Sequence, residues 1–352
     1  MQSFYTQHRN RIRNILIIKL RAIGDVILAT PVIENLRLAF PEAHITFLTE
    51  KPAAPIVSGN PFLNQALIFN RTAIERQSAM EGLRETWRFF QCLRRNRYDL
   101  VIDLFGNPRS AQFTWFSKAP FRVGFDFRVR RFAYNIRVPA RGDQIHEVLF
   151  NLEALEYLGI PVVTHSLYIP VTAEHEHFAA QFWQKAGLQG RRVIALGVSG
   201  GWYTKRWPLE KFAHLADRLI QELQARVLLL WGPGEWNDVQ KVRALMKEEP
   251  ILAPETSLLQ LAALLKRVTL LVSNDSGPMH LAAAVGTRVV ALYGPTRPEL
   301  QGPWGDTHRV VRLASLPCLG CNATRCSIKT HDCMQKLDVE QVFDEVLGAV
   351  HG

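Results

Sequence analysis

Residues 270–284 read Leu270-Leu271-Val272-Ser273-Asn274-Asp275-Ser276-Gly277-Pro278-Met279-His280-Leu281-Ala282-Ala283-Ala284. The apolar start has no polar interruption, the pattern of a strand buried on both faces. Small polar residues then turn the chain. Pro278, suited to a first helical turn, and the alanine-rich tail begin a helix. A strand feeding directly into a helix is the building block of a parallel sheet, so an α/β fold is expected. The free amides and positive dipole end of such a helix suit a phosphate. Gly277 would allow close backbone approach, and Ser276 offers both a hydroxyl and an amide. The same residues also fit an ordinary capped turn, with Asp275 or Ser276 as N-cap and His280 packed in the core. Asp275 would be unfavourable beside an anion unless it holds sugar hydroxyls.

The alternation extends in both directions. Residues 15–20, 45–48, 66–69 and 100–104 read as strands, with helices over about 26–40, 80–96 and 144–158. A Gly-Ile-Pro break at 159–161 marks a linker, followed by an amphipathic helix to about Gly187. Strands over 193–197, 227–231, 268–273 and 289–293 then alternate with helices starting near Pro208, Glu235, Leu258 and Ser276. At 352 residues the chain exceeds the usual size of one hydrophobic core. Two Rossmann-like domains are expected, over 1–165 and 166–335, facing each other across a cleft at the carboxyl edges of their strands, where open parallel sheets bind ligands. A C-terminal helix over 336–352 is expected to pack back on the N-terminal domain.

No apolar run approaches the about 18 residues that span a bilayer, and the N-terminus lacks a signal-peptide pattern, so a cytoplasmic protein is expected. The net charge of +10 is uneven: residues 1–170 hold 22 Lys and Arg against 14 Asp and Glu. The first half is therefore suited to an anionic partner: nucleic acid, membrane surface or phosphorylated substrate.

Two further loops carry candidate chemistry. In 16–31, a strand ends in a tight turn with Gly24 and Asp25 at the start of a helix, and Lys19 and Arg21 lie close by. Asp25 reads either as a base for an attacking hydroxyl or as a helix cap. In 197–208, a glycine-rich loop carries Ser199, Thr204, Lys205 and Arg206, a plausible clamp for a diphosphate. Gly197–Gly201 also fits the G-x-S-x-G nucleophile pattern, but several residues separate its Ser from the next helix, which that motif does not allow. The G-x-G-x-x-G, P-loop and H-E-x-x-H patterns are absent, which disfavours dinucleotide oxidoreductases, P-loop NTPases and zinc proteases.

Taken together, 20–31, 204–208 and 273–284, with Tyr293-Gly294-Pro295-Thr296 beyond, resemble glycosyltransferase family 9, the ADP-heptose:lipopolysaccharide heptosyltransferases. The resemblance spans nearly the whole chain in order. It implies a GT-B fold and inverting transfer with no required metal or other cofactor. It implies Asp25 as general base and Lys205 as the leaving-group cation. Asp275 would hold heptose hydroxyls, with Ser276 and Gly277 on the diphosphate. Ser199, Thr204 and His280 would complete the donor site, and Glu235, in a Trp-Gly-Pro-Gly-Glu turn, would take ribose hydroxyls. The implied partners are ADP-heptose and an anionic lipopolysaccharide-core acceptor at the inner face of the inner membrane, with no nucleic acid. The same fold with another nucleotide sugar, and a non-catalytic nucleotide-sugar or nucleic-acid binding module, remain as alternatives.

Two regions stand apart. Residues 110–141 interleave aromatics, among them Phe113, Trp115, Phe116, Phe121, Phe125 and Phe127, with seven cations, as an anionic amphiphile or single-stranded nucleic acid would require, although each aromatic could equally be core. Arg21, Arg128, Arg130 and Arg131 are the candidate acceptor contacts. Cys318, Cys321, Cys326 and Cys333, spaced C-x2-C-x4-C-x6-C, fit either a structural zinc or iron–sulfur site or a set of free, redox-labile thiols.

Overall fold

The computed structural model describes residues 3–127 and 129–351. The chain forms two compact units, Met1–Pro170 and Val171–Gly352. In the first, β1 (Asn14–Ile18), β2 (His44–Glu50), β3 (Gln65–Phe69), β4 (Leu100–Asp103), β5 (Phe121–Phe125) and β6 (Ile136–Val138) make a parallel sheet ordered β3-β2-β1-β4-β5-β6. In the second, β7 (Val193–Gly197), β8 (Arg226–Leu230), β9 (Ile251–Leu252), β10 (Leu270–Asn274), β11 (Arg288–Tyr293) and β12 (Arg309–Arg312) are ordered β12-β11-β10-β7-β8-β9, again all parallel. Counted from its own first strand, each sheet has the doubly wound order 3-2-1-4-5-6. Strand direction of travel reverses between β1 and β4, and between β7 and β10, and ligands of such sheets bind outside the carboxyl ends at that switch point.

The helices that matter for function are α1 (Ile23–Leu28), α2 (Thr30–Ala39), α3 (Ala79–Arg95), α4 (Pro108–Ser117) and α5 (Glu147–Tyr157) in the first unit. The second unit has α6 (Leu209–Leu223), α7 (Trp236–Leu245), α8 (Gly277–Ala284) and α9 (Val339–His351). The helix expected over 26–40 is broken in two. Pro31 has no amide to continue the hydrogen-bond ladder, and the Thr30 hydroxyl instead donates to the carbonyl of Ile27 at 2.7 Å.

Central strands are buried on both faces, as Ile15, Leu16, Ile17 and Ile18 show, so their sequences run apolar without alternation. α9 belongs to the second unit. Its Val342, Phe343 and Val346 pack into the core of the second unit with Leu270, Val272, Val290 and Leu292. The 342/343/346 spacing makes one apolar stripe, and that stripe is consumed by the unit's own sheet. The aromatic interleaving of 110–141 also divides: Phe113 and Phe125 are core, while Trp115 and Phe132 are exposed.

Candidate active site

At the carboxyl end of β1, Asp25 sits in the first turn of α1, half-buried, and its Oδ2 accepts the amide of Ala22 at 2.9 Å. The helix-cap geometry fixes where the carboxylate points. Arg21 is exposed on the same turn. Lys19 does not add free positive charge there. It is 3% exposed, and its ammonium donates to Glu147 at 2.5 Å, to the carbonyl of Leu104 at 2.9 Å and to Asn151 at 3.2 Å. The switch point of the first sheet is thus stitched by a buried ion pair between β1, the β4 exit and α5.

The loop after β4 is ordered around Asp103, which the sequence reading missed. Its fully buried carboxylate accepts the amides of Phe105 and Gly106, each at 3.0 Å, and the hydroxyl of Tyr134 at 2.6 Å. Burial pushes the Asp103 pKa above its ordinary value despite these donors. Of the acceptor candidates, Arg130 donates to the carbonyl of Gly106 and lies over the Phe127 ring at 5.3 Å, so part of its role is to hold this loop. Gly106 has φ +60, and the Phe127 ring occupies the space a Cβ would need. Arg131 lies 3.9 Å from Asp126. Arg128 falls outside the described residues.

In the second unit, the ends of β7 and β10 form one construction. Asn274 donates to the carbonyls of Val198 and Ser199 at 3.1 and 3.2 Å and accepts the amide of Trp207 at 3.0 Å. One buried amide therefore pins both ends of the 198–207 loop to the switch point. Gly197 is required beside it, because a Cβ there would come within 2.7 Å of the Ser273 hydroxyl. Lys205, in a 3-10 turn at Tyr203–Lys205, pairs with Asp275 at 2.6 Å and lies over the Trp202 ring at 4.6 Å. Asp275 is 6% exposed and also accepts the Thr296 hydroxyl at 2.7 Å. Ser276 is the N-cap of α8, its hydroxyl 3.1 Å from that of Ser273, and Gly277 opens the helix. His280 lies one turn further on, nearly buried.

Several predicted donor contacts are already engaged. The Ser199 hydroxyl donates to Asp238 at 3.0 Å, and Arg206 pairs with the same carboxylate at 3.2 Å. Asp238 was missed because an acid in the first turn of α7 reads as a simple dipole partner. Glu235 accepts the amide of Gly232 at 2.8 Å and is half-buried, and this desolvation pushes its pKa up. The Thr204 side chain turns away from the loop face and donates to the carbonyl of Ala323 at 2.8 Å. His331 Nε2 lies 2.6 Å from the Thr204 carbonyl oxygen and so carries the proton in that contact.

These last bonds join the Lys205 turn to the cysteine-bearing loop. Cys318, Cys321, Cys326 and Cys333 line a cavity of about 20 Å³ together with Thr204 and His331, and all four are free thiols. Burial, and then the other three sulfurs, push the Cys333 thiol up to about 11. Among the described residues, no group of three or more His, Cys, Asp and Glu is arranged to hold a metal ion.

Comparison with known proteins fits this architecture. The profile of glycosyltransferase family 9 (heptosyltransferase) matches residues 86–331. Lipopolysaccharide heptosyltransferase 3 of Escherichia coli K12 is 30% identical over 306 residues, covering 82% of this chain and 84% of its own. The crystal structure of a family 9 glycosyl transferase from Veillonella parvula superposes with a TM-score of 0.80 at 27% identity, covering 96% of this chain and 97% of that one. E. coli heptosyltransferase WaaC with ADP-2-deoxy-2-fluoro heptose shares the fold, with a TM-score of 0.72 at 22% identity over 95% and 99% of the two chains. Two doubly wound sheets and a profile match over well more than half its length make this chain a GT-B glycosyltransferase, a member of glycosyltransferase family 9 (heptosyltransferase).

Proposed function

We propose that the protein transfers heptose from ADP-heptose to the inner core of lipopolysaccharide, with inversion and without a metal ion, as a cytoplasmic enzyme peripheral to the inner membrane. The observation that carries this reading is the Lys205–Asp275 pair at the switch point of the second sheet, held by Asn274. A nucleotide-sugar site needs a cation for the diphosphate and an acceptor for sugar hydroxyls side by side. Lys205 and Asp275 supply both. Among the described residues, no helix is long and apolar enough to cross a membrane.

In this mechanism an acceptor hydroxyl gives its proton to the Asp25 carboxylate as its oxygen attacks the anomeric carbon. The bond from that carbon to the diphosphate breaks, and ADP leaves with the electron pair. A single displacement inverts the anomeric centre. Lys205 and the amides at the start of α8 stabilise the charge that develops on the leaving phosphate. Asp275 orients the heptose, and Glu235 takes the ribose hydroxyls.

The test is incubation with a panel of nucleotide sugars and a core acceptor, following release of nucleotide diphosphate. ADP release from ADP-heptose alone is expected. Faster turnover of another nucleotide sugar would replace the donor assignment, and no turnover of any would leave a binding module.

A further inference from the structure

α3 is a 17-residue helix with one face against the first unit and a second face left exposed among the described residues. On that second face Met80, Leu83 and Trp87 are 81%, 73% and 56% exposed. Their spacing of three and four residues places them in one row. Two aromatic pairs lie beyond the helix: Trp87 meets Phe116 of α4 edge-on at 6.3 Å, and Trp115, the preceding residue of α4, meets Phe132 edge-on at 6.0 Å. Trp115 and Phe132 are themselves 39% and 56% exposed.

Cations border this row. Arg84, Arg88, Arg94 and Arg95 are exposed on α3, and Lys118 and Arg122 lie over the Trp115 ring at 4.7 and 5.7 Å. The acids of α3 are already occupied: Glu81 closes the cap on Ser78, and Glu85 pairs with Arg88. A contiguous set of protruding aliphatic and aromatic side chains ringed by arginines has the chemistry of an interfacial helix, with apolar groups entering the acyl boundary and cations meeting lipid phosphates.

We propose that the row Met80, Leu83, Trp87, Trp115 and Phe132 docks the protein on an anionic bilayer surface. Charge complementarity selects this occupant. A second copy of the chain seated by twofold symmetry would bring the α3 arginines against their own equivalents. Single-stranded nucleic acid stacks on rings and leaves Met80 and Leu83 without a role. The inference deepens the proposed function, resting on an acceptor anchored in a membrane, and it assigns a surface to that anchorage.

The experiment is co-sedimentation of the full chain with vesicles of phosphatidylcholine, with and without phosphatidylglycerol, in the absence of substrate. Binding to the anionic vesicles alone is expected, weakening as salt rises. Each of Arg84→Gln and Arg94→Gln is expected to weaken it about fivefold, the equivalent of about 1 kcal/mol. The double variant Leu83→Glu/Trp87→Glu is expected to lose about tenfold or more, with its melting temperature and its turnover of a water-soluble, deacylated acceptor unchanged. Equal binding by the wild type and the double variant would overturn the proposal. So would a wild-type dimer that this variant dissociates, or tighter retention on single-stranded nucleic acid than on vesicles. Because vesicle binding needs no sugar donor, failure of the donor assignment leaves this result readable on its own.

Discussion

Lys205 and Asp275 neutralise one another at 2.6 Å in a setting where Asp275 is almost without water. Removing either partner leaves the other desolvated and uncompensated. Lys205→Met is therefore expected to lower the melting temperature, and Lys205→Met/Asp275→Asn to recover it without recovering turnover. A double variant that melts no higher than the single one would show that the pair carries no such coupling. Asp25 makes a different prediction, because its bond to the Ala22 amide keeps the side chain placed even when its basicity is removed. Asp25→Asn should lower kcat about 10²–10⁴-fold with donor affinity, read by calorimetry, retained. Glu235 adds a pH dependence. Burial raises its pKa, so it holds its proton to a higher pH than an ordinary carboxylate. If the ionised form takes the ribose hydroxyls, donor affinity grows as pH rises through that raised pKa and is lost below it. Glu235→Gln should flatten this acidic limb in a pH series of donor KM.

At the scale of elements, the loop 198–207 behaves as one piece because Asn274 grips both its ends and the cysteine-bearing loop grips its middle through Thr204 and His331. Thr204→Val keeps the volume and removes the bond to Ala323. It should raise donor KM while leaving the fold intact, and an unchanged KM would separate the two loops functionally. Packing of α9 on the second sheet gives a stability prediction: Phe343→Ala is expected to cost about 3–5 kcal/mol in urea unfolding. The central strands and the helix starts near Leu258 and Ser276 were legible because burial on both faces leaves uninterrupted apolar runs and because Ser257 and Ser276 are good caps. β5, β6, β9 and β12 were not. β6 and β9 are only three and two residues long, and β5, β6 and β12 carry exposed or half-buried arginines that break the apolar run. Gly124 further dilutes β5, yet the Tyr134 ring fills the place of its Cβ, a contact no local pattern announces. The candidate site was legible as motifs on three loops. Its second layer was not, since Asn274, Asp238, Thr296 and Asp103 act on residues brought close only by the sheets.

For the whole molecule, the surplus of cations in the first 170 residues has several destinations. Lys19 is spent on a buried ion pair, Arg130 on the loop after β4, and the α3 arginines stay outward. Replacing Arg130 and Arg131 by Glu should therefore raise acceptor KM and also lower the melting temperature, with donor KM unchanged. Equal loss for donor and acceptor would remove them as acceptor contacts. Every strand of the first sheet comes from residues before Pro170 and every strand of the second from residues after it, and α9 stays with the second. Among the described residues, no ladder hydrogen bond is severed by a genetic joint at that proline. If Asp25 meets the acceptor and Lys205 and Asp275 the donor, as proposed, relatives recombined there as cassettes, half from one parent and half from another, would exchange what receives the sugar and which sugar is given as separate parts.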